Sequence, residues 1–334
     1  MRFGLFGGAV AQRGGVLRDS TQGYRDFIDY VGEAEELGYH SVFLVEHHFT
    51  GFGQVSASLN LLTYLAARTR RIRLGTAVVV LPWHNPVLLA EEAATVDLLS
   101  NGRFDFGVGK GYRPNEFHGF NVDQDTAQER FDEALEVIRK AWTSEEPFDH
   151  RGRHWTYKGI VVEPPCIQKP HPPLWIAAGR AEAIEDAATR GFNLLLDQIA
   201  PFDEIGARLS VYRDRVAALG RDFDPQSVAV ARALHITHTE AEREEAHALR
   251  ARLLGGISRL SRVRGGGGPE STMLQYNDTR LATEEGALIG PPEEIVERLH
   301  RLRALGVDYV LLIDVTGSRQ SLRTFQNEIM PEFA

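Results

Sequence analysis

Eight stretches of the chain are short, apolar and rich in branched or aromatic residues: Arg2–Phe6, Ser41–Val45, Ile72–Leu81, Arg103–Val108, Leu174–Ala178, Asn193–Leu196, Val228–Thr237 and Tyr309–Asp314. Several, Leu74 to Leu81 among them, run apolar without alternating. That pattern suits strands buried on both faces of a parallel sheet. Between them lie amphipathic, helix-period segments: Tyr24–Leu37, Ser58–Arg68, Val87–Leu99, Thr126–Thr143, Ala181–Arg190, Phe202–Leu219, Glu240–Leu254, Pro292–Leu305 and Ser318–Met330. Leu-Gly pairs at 37–38, 219–220 and 305–306 read as helix stops, because glycine tolerates the left-handed residue that ends a helix.

Eight strands alternating with helices predict an α/β fold, a (β/α)8 TIM barrel of one domain over residues 1–334. Two stretches exceed the minimal repeat and read as insertions, at about 144–173, with its prolines and scattered aromatics, and about 255–290, with glycines at 265–268. The second is expected to be a lid, since long glycine-rich loops in compact domains are commonly functional or mobile. An open doubly wound sheet would call for a GxGxxG turn after the first strand, and Gly7-Gly8-Ala9-Val10 does not supply one.

Composition narrows the class. The chain has 334 residues, 43% of them hydrophobic, ample for a large core. A formal net charge of −9 argues against nucleic acid or an anionic membrane as partner. No apolar run reaches the roughly 20 residues of a membrane helix, and Met1–Gly15 does not read as a signal peptide. The single cysteine, Cys166, excludes an internal disulfide. A cytoplasmic location is the expectation.

In a barrel of this kind the chemistry sits at the carboxyl ends of the strands. Those ends carry Gly7-Gly8, Glu46-His47-His48, Pro82-Trp83-His84, Gly109-Lys110-Gly111-Tyr112-Arg113, Gly179-Arg180, Asp197-Gln198, His235 and His238, and Asp314. His47 is the acid–base candidate, since imidazole titrates near neutral pH. His48, alternating away from it, reads as structural. Glycines let the backbone approach a ligand, and Lys110, Arg130, Arg180 and the helix start at Ala181 offer charge and N–H groups to a phosphate. Arg130 also fits an ion-paired helix face with Glu129, Asp132 and Glu133, and Lys110 a solvated surface charge. Adjacent Glu46-His47-His48 is poor spacing for one metal ion, so no metal is expected.

Four stretches together resemble the bacterial luciferase family of flavin-dependent monooxygenases: Glu46–Gly53, Gly75–Pro82, Ser100–Gly107 and Gly290–Glu294. The likeness runs from Arg2 to about Phe333 and is strongest in the first 140 residues. It implies a barrel that uses reduced FMN and O2, through a flavin C4a-peroxide, to oxygenate a small organic substrate. It implies His47 as the catalytic histidine, and a non-prolyl cis peptide at Ala77-Val78 against the flavin. Glu46, Gly109, Lys110, Gly111 and Tyr112 fall on the cofactor side. Arg130 and Gly179-Arg180-Ala181 correspond to phosphate-binding positions. A separate NAD(P)H:flavin reductase as source of FMNH2 and a homodimer through Ser58–Arg68 and Val87–Leu99 are implied likewise. Gly109 replaces the reactive cysteine of luciferase proper, and the region after the fifth strand has Arg180 and Glu182 in place of serines. The rival readings are a deazaflavin- or FMN-dependent hydride-transfer enzyme on the same barrel, a non-catalytic flavin-binding protein and a metal-dependent barrel hydrolase.

Overall fold

The computed structural model describes residues 1–11, 21–51, 53–261, 283–314 and 316–334. Eight parallel strands close a ring: β1 (Arg2–Gly7), β2 (Ser41–Leu44), β3 (Arg73–Thr76), β5 (Phe104–Gly109), β8 (Leu174–Ala177), β9 (Asn193–Leu196), β10 (Val228–Ile236) and β12 (Tyr309–Asp314), with β12 returning to β1. The expected (β/α)8 barrel is present. The helices between the strands are α1 (Gln22–Glu36), α2 (Ser58–Arg68), α3 (Pro86–Leu99), α4 (Pro114–Gly119), α5 (Ala127–Thr143), α6 (Ala181–Thr189), α7 (Phe202–Ala218), α8 (Glu240–Ser261), α9 (Pro292–Ala304) and α10 (Arg319–Thr324). The Leu-Gly stops hold: Leu37, Leu219 and Leu305 cap α1, α7 and α9, each followed by a glycine at positive φ.

Two hydrophobic layers hold the ring. Outside it, strand side chains such as Leu5, Val42, Leu74 and Val310 meet the helices in one continuous core. Inside it, Phe43, Trp175, Leu195, Ala229, Tyr309 and Leu311 fill the barrel, and Phe6, Ala77 and Val78 pack on them from above. The site therefore rests on a solid floor rather than over a pore.

Five sequence expectations change. First, Ile72–Leu81 is not one strand. The chain leaves the ladder after Thr76, passes a cis peptide at Ala77-Val78 and resumes as β4 (Val79–Val80) against β5. The Thr76 hydroxyl fills the gap, donating to the Gly107 carbonyl at 2.7 Å and accepting from its N–H at 2.9 Å. Second, the 144–173 insertion holds an antiparallel hairpin, β6 (Phe148–Arg151) with β7 (Thr156–Ile160). Third, α8 continues through Gly255 and Gly256 to Ser261, since glycine costs a helix interior only about 1 kcal/mol each. Fourth, Leu288–Gly290, read as insertion, is β11 and extends the sheet beside the upper half of β10. Fifth, Ser318–Met330 is not one α-helix, because α10 passes into a π turn over Phe325–Ile329. Most of the lid expected at 255–290, residues 262–282, lies outside the described residues.

Candidate active site

Beyond the end of β2 the chain turns, with the Val45 N–H bonded to the Gly7 carbonyl and the His47 N–H to that of Val55. This turn brings Glu46, His47 and His48 to the carboxyl-end mouth. His47 is half-buried, and its Nδ1 lies 3.1 Å from Glu116 Oε1 on α4. The same oxygen accepts the His48 backbone N–H at 2.9 Å. A carboxylate on Nδ1 holds the proton there and leaves Nε2 as the free lone pair, the arrangement a histidine base needs. Burial pushes the His47 imidazole below its ordinary pKa, and the neighbouring Arg113 charge adds to this against the opposing Glu116 and Glu46. His47 therefore stands neutral at neutral pH.

Glu46 belongs to a second network. It is buried, and one oxygen accepts His84 Nε2 at 3.1 Å, His48 Nε2 at 3.3 Å and Trp83 Nε1 at 3.3 Å. Burial alone would raise its pKa, but the hydrogen bonds from His48 and His84 win and bring it down to about 2. Glu46 thus holds side chains in place beneath the mouth. The His48 ring stands edge-on to Phe120 and Trp83.

The residues on the cofactor side gather around β4, β5 and β8. Ala77 and Val78 are half-buried on the barrel's inner layer. Gly109 lets Val78 come close, since a Cβ there would lie 2.6 Å from Val78 Cγ2. Gly111 takes a φ of +77°, and a Cβ on it would meet Val80 and Phe117. Tyr112 is half-buried and its hydroxyl accepts Arg113 Nε at 3.2 Å. Lys110 is exposed and reaches Gln128 on α5 at 3.1 Å. Arg130, two residues further on α5, bonds Thr126 Oγ1 at 3.2 Å and lies over the Trp155 ring. The ion-paired reading of Arg130 fails: Glu129 pairs with Arg153, Asp132 with Arg190, and Glu133 with His150. β5 and β8 are neighbours with Val108 opposite Ile176, so Gly179, Arg180 and Ala181 open α6 next to Lys110. Two of these cations and a helix N-terminus suit a phosphate. Among the described residues, a Cβ on Gly7 would meet nothing within 4 Å.

Sequence reasoning did not single out Glu116, Arg113 or the role of His84. The signal was local but faint: Pro114 is a favoured first helical residue, and a helix starting there puts Glu116 on the turn facing β2.

Residues 1–309 match the family model described as luciferase-like monooxygenase, and the chain belongs to this family. The oxygenase component of the flavin-dependent trigonelline monooxygenase of Acinetobacter baylyi is 27% identical over all of this chain and 96% of its own length. Among solved structures, monooxygenase RslO1 from Streptomyces bottropensis superposes with a TM-score of 0.84 at 26% identity, covering 100% of both chains. The same fold, at 18% identity and a TM-score of 0.78, carries FMN in the oxygenating constituent of 3,6-diketocamphane monooxygenase of Pseudomonas putida, over 99% of this chain and 98% of that one. It recurs at 17% identity and a TM-score of 0.78 in an F420-dependent secondary alcohol dehydrogenase, over 100% of this chain and 99% of that one. The chain is thus a luciferase-like monooxygenase by family. The fold by itself does not choose between FMN and F420.

Proposed function

We propose that this enzyme is the oxygenase component of a two-component system, taking reduced FMN from a separate NAD(P)H:flavin reductase and inserting one atom of O2 into a small organic substrate. The observation that carries this reading is the His47–Glu116 pair at the barrel mouth, beside the Ala77-Val78 peptide and a cationic rim. Lys110 and Arg130 would neutralise the FMN phosphate, with Gly179, Arg180 and Ala181 presenting the start of α6 to it. Ala77, Val78 and Gly109 would form the apolar shelf under the ring system. When bound, the reduced flavin supplies the two electrons that activate O2, the second oxygen atom leaving as water.

The protein's own residues do the rest. His47 accepts or returns a proton at Nε2, and Glu116 fixes its ring through Nδ1. Glu46 keeps His48, His84 and Trp83 in one arrangement beneath it. A flavin carrier would need no neutral histidine held by a carboxylate at this place. A hydride-transfer enzyme on the same barrel could use one as the base for a hydroxyl proton, so reaction with O2 is what separates that rival. The apolar side chains Tyr64, Leu88, Leu98 and Leu99 are exposed on α2 and at or beyond the ends of the apolar face of α3, which supports a homodimer through these helices. Anaerobic titration with reduced FMN, followed by mixing with O2, tests the class. Tight FMNH2 binding and a long-lived oxygenated flavin absorbance are expected. Preferential binding of reduced F420 with no O2 reaction overturns it.

A further inference from the structure

α4 is short, but its residues have one face of consequence. Arg113, its N-cap, and Glu116, Phe117 and Phe120 fall at spacings of three, four and seven, which places them on one side of the helix. Glu116 holds His47. Phe117 and Phe120 lie 5.1 and 5.3 Å, ring centre to ring centre, from Trp83, and Phe120 lies 5.0 Å from the exposed Phe49. Arg113 begins this stripe, and it is 2% exposed.

The guanidinium of Arg113 is left short of partners. Its Nε donates to the Tyr112 hydroxyl, while Nη1 is buried and has no hydrogen-bond partner among the described residues. Among the described residues no carboxylate lies within ion-pair distance of it, and the nearest acid on its own helix, Glu116, is taken by His47 and the His48 N–H. A buried cation without a counter-ion is costly and is rarely retained for structure alone. Its charge is felt at the site, because it helps keep His47 neutral. It is also distinct from the phosphate side: Lys110 points out to α5, and the left-handed Gly111 turns the chain between the two.

We propose that Arg113 is the anchor for a carboxylate on the substrate, and that the substrate is an apolar or aromatic carboxylate whose body lies against Trp83 and Phe120, which Phe117 backs from the core. This rests on the oxygenase reading for the word substrate, but the site itself can be tested without flavin. Benzoate is the probe, with benzyl alcohol as its neutral counterpart, both titrated into the flavin-free protein by calorimetry and by Trp fluorescence. Benzoate is expected to bind at least tenfold more tightly than benzyl alcohol. R113Q should remove that preference, R113K should restore part of it, and FMNH2 affinity should stay as in the parent in both. R130Q should weaken FMNH2 and leave benzoate unchanged. Equal binding of the two probes, a preference that survives R113Q, or a preference lost in R130Q instead each overturns the proposal. None of these outcomes touches the oxygenase reading, which is decided by the reaction of bound FMNH2 with O2.

Discussion

The two ends of the barrel use the same side-chain types to opposite effect. At the amino-terminal end Arg2, His40, Arg73, Asp105, Trp175 and Tyr309 line a cavity of about 260 Å³. There the buried charge is matched: Arg73 grips Asp105 through Nε at 2.7 Å and Nη2 at 3.0 Å, and Trp175 Nε1 donates to the same carboxylate at 3.1 Å. At the carboxyl-terminal end Glu46 and Glu116 go to histidines, and Arg113, Lys110 and Arg130 keep no carboxylate within reach among the described residues. A closed network stabilises and does nothing else, whereas an open one has capacity left for a ligand. The difference is sharp because the two ends share one layer of side chains, Phe43, Trp175 and Tyr309 below with Ala77 and Val78 above.

Removing a side chain from each end separates the two roles. His47→Ala should lower the oxygenation rate about 10²–10⁴-fold, the range of a positioned acid–base group. The melting temperature and FMNH2 affinity should stay close to the parent's. Single-turnover kinetics with preloaded FMNH2 reads this directly. A variant that oxygenates at the parent rate would pass the role to another group such as His84. Glu116→Gln should give a smaller loss, because the ring stays in place while the carboxylate that fixes its tautomer is gone.

The mirror experiment is Asp105→Ala. It leaves the half-buried Arg73 without its counter-ion and the Trp175 Nε1–H without its acceptor. Breaking a fully buried pair costs about 3–5 kcal/mol, and the partial exposure of Arg73 makes that the upper bound. Denaturant unfolding should show that loss, with FMNH2 affinity unchanged in the protein that remains folded. A stable variant with impaired flavin binding would mean that the lower network serves the site after all.

How much of this contrast could be read in advance depends on the range of each interaction. The eight strands are legible because branched and aromatic runs declare themselves locally. His47 is legible because its place after the second strand fixes which end of the barrel it occupies. The His47–Glu116 pair is not, since it joins residues 69 apart and needs the closed ring to exist. α4 is six residues long and has too few positions to show a period. The break after Thr76 is hidden in the hydrophobic pattern because Ala77-Val78 has the same apolar composition as the strand on either side; the resemblance alone pointed to the cis peptide that the structure has there. Arg113 stood in view among the strand-end residues, but only the structure shows it to be buried and without a counter-ion among the described residues.

Next in size is the phosphate side. Arg130→Ala should weaken FMNH2 binding by about 1.5–3 kcal/mol, the scale of a charge-assisted hydrogen bond. Affinity for reduced riboflavin, which lacks the phosphate, should not change. If both flavins weaken alike, Arg130 supports the fold of α5 and not the phosphate.

The smallest effect concerns pH, and it divides the two histidines by what each controls. Burial pushes His40 down to about 4, with the charges of Arg2 and Arg73 acting in the same direction. The unfolded chain, with an ordinary imidazole near 6.5, therefore binds this proton more readily than the folded one. Stability from His40 is complete above about pH 6.5 and is lost as the pH falls from there toward 4. The Glu46 carboxylate, lowered to about 2, has its own loss below its ordinary range near 4.5, so the two windows fall apart. His40→Gln should flatten the denaturation free energy between pH 6.5 and 4 and leave the oxygenation pH profile as it was. That profile belongs to His47, whose lowered pKa keeps it a base below pH 6.5 and lets activity fall only as it takes up its proton. An activity profile that moves with His40→Gln would show that the shared layer carries charge effects from one end of the barrel to the other.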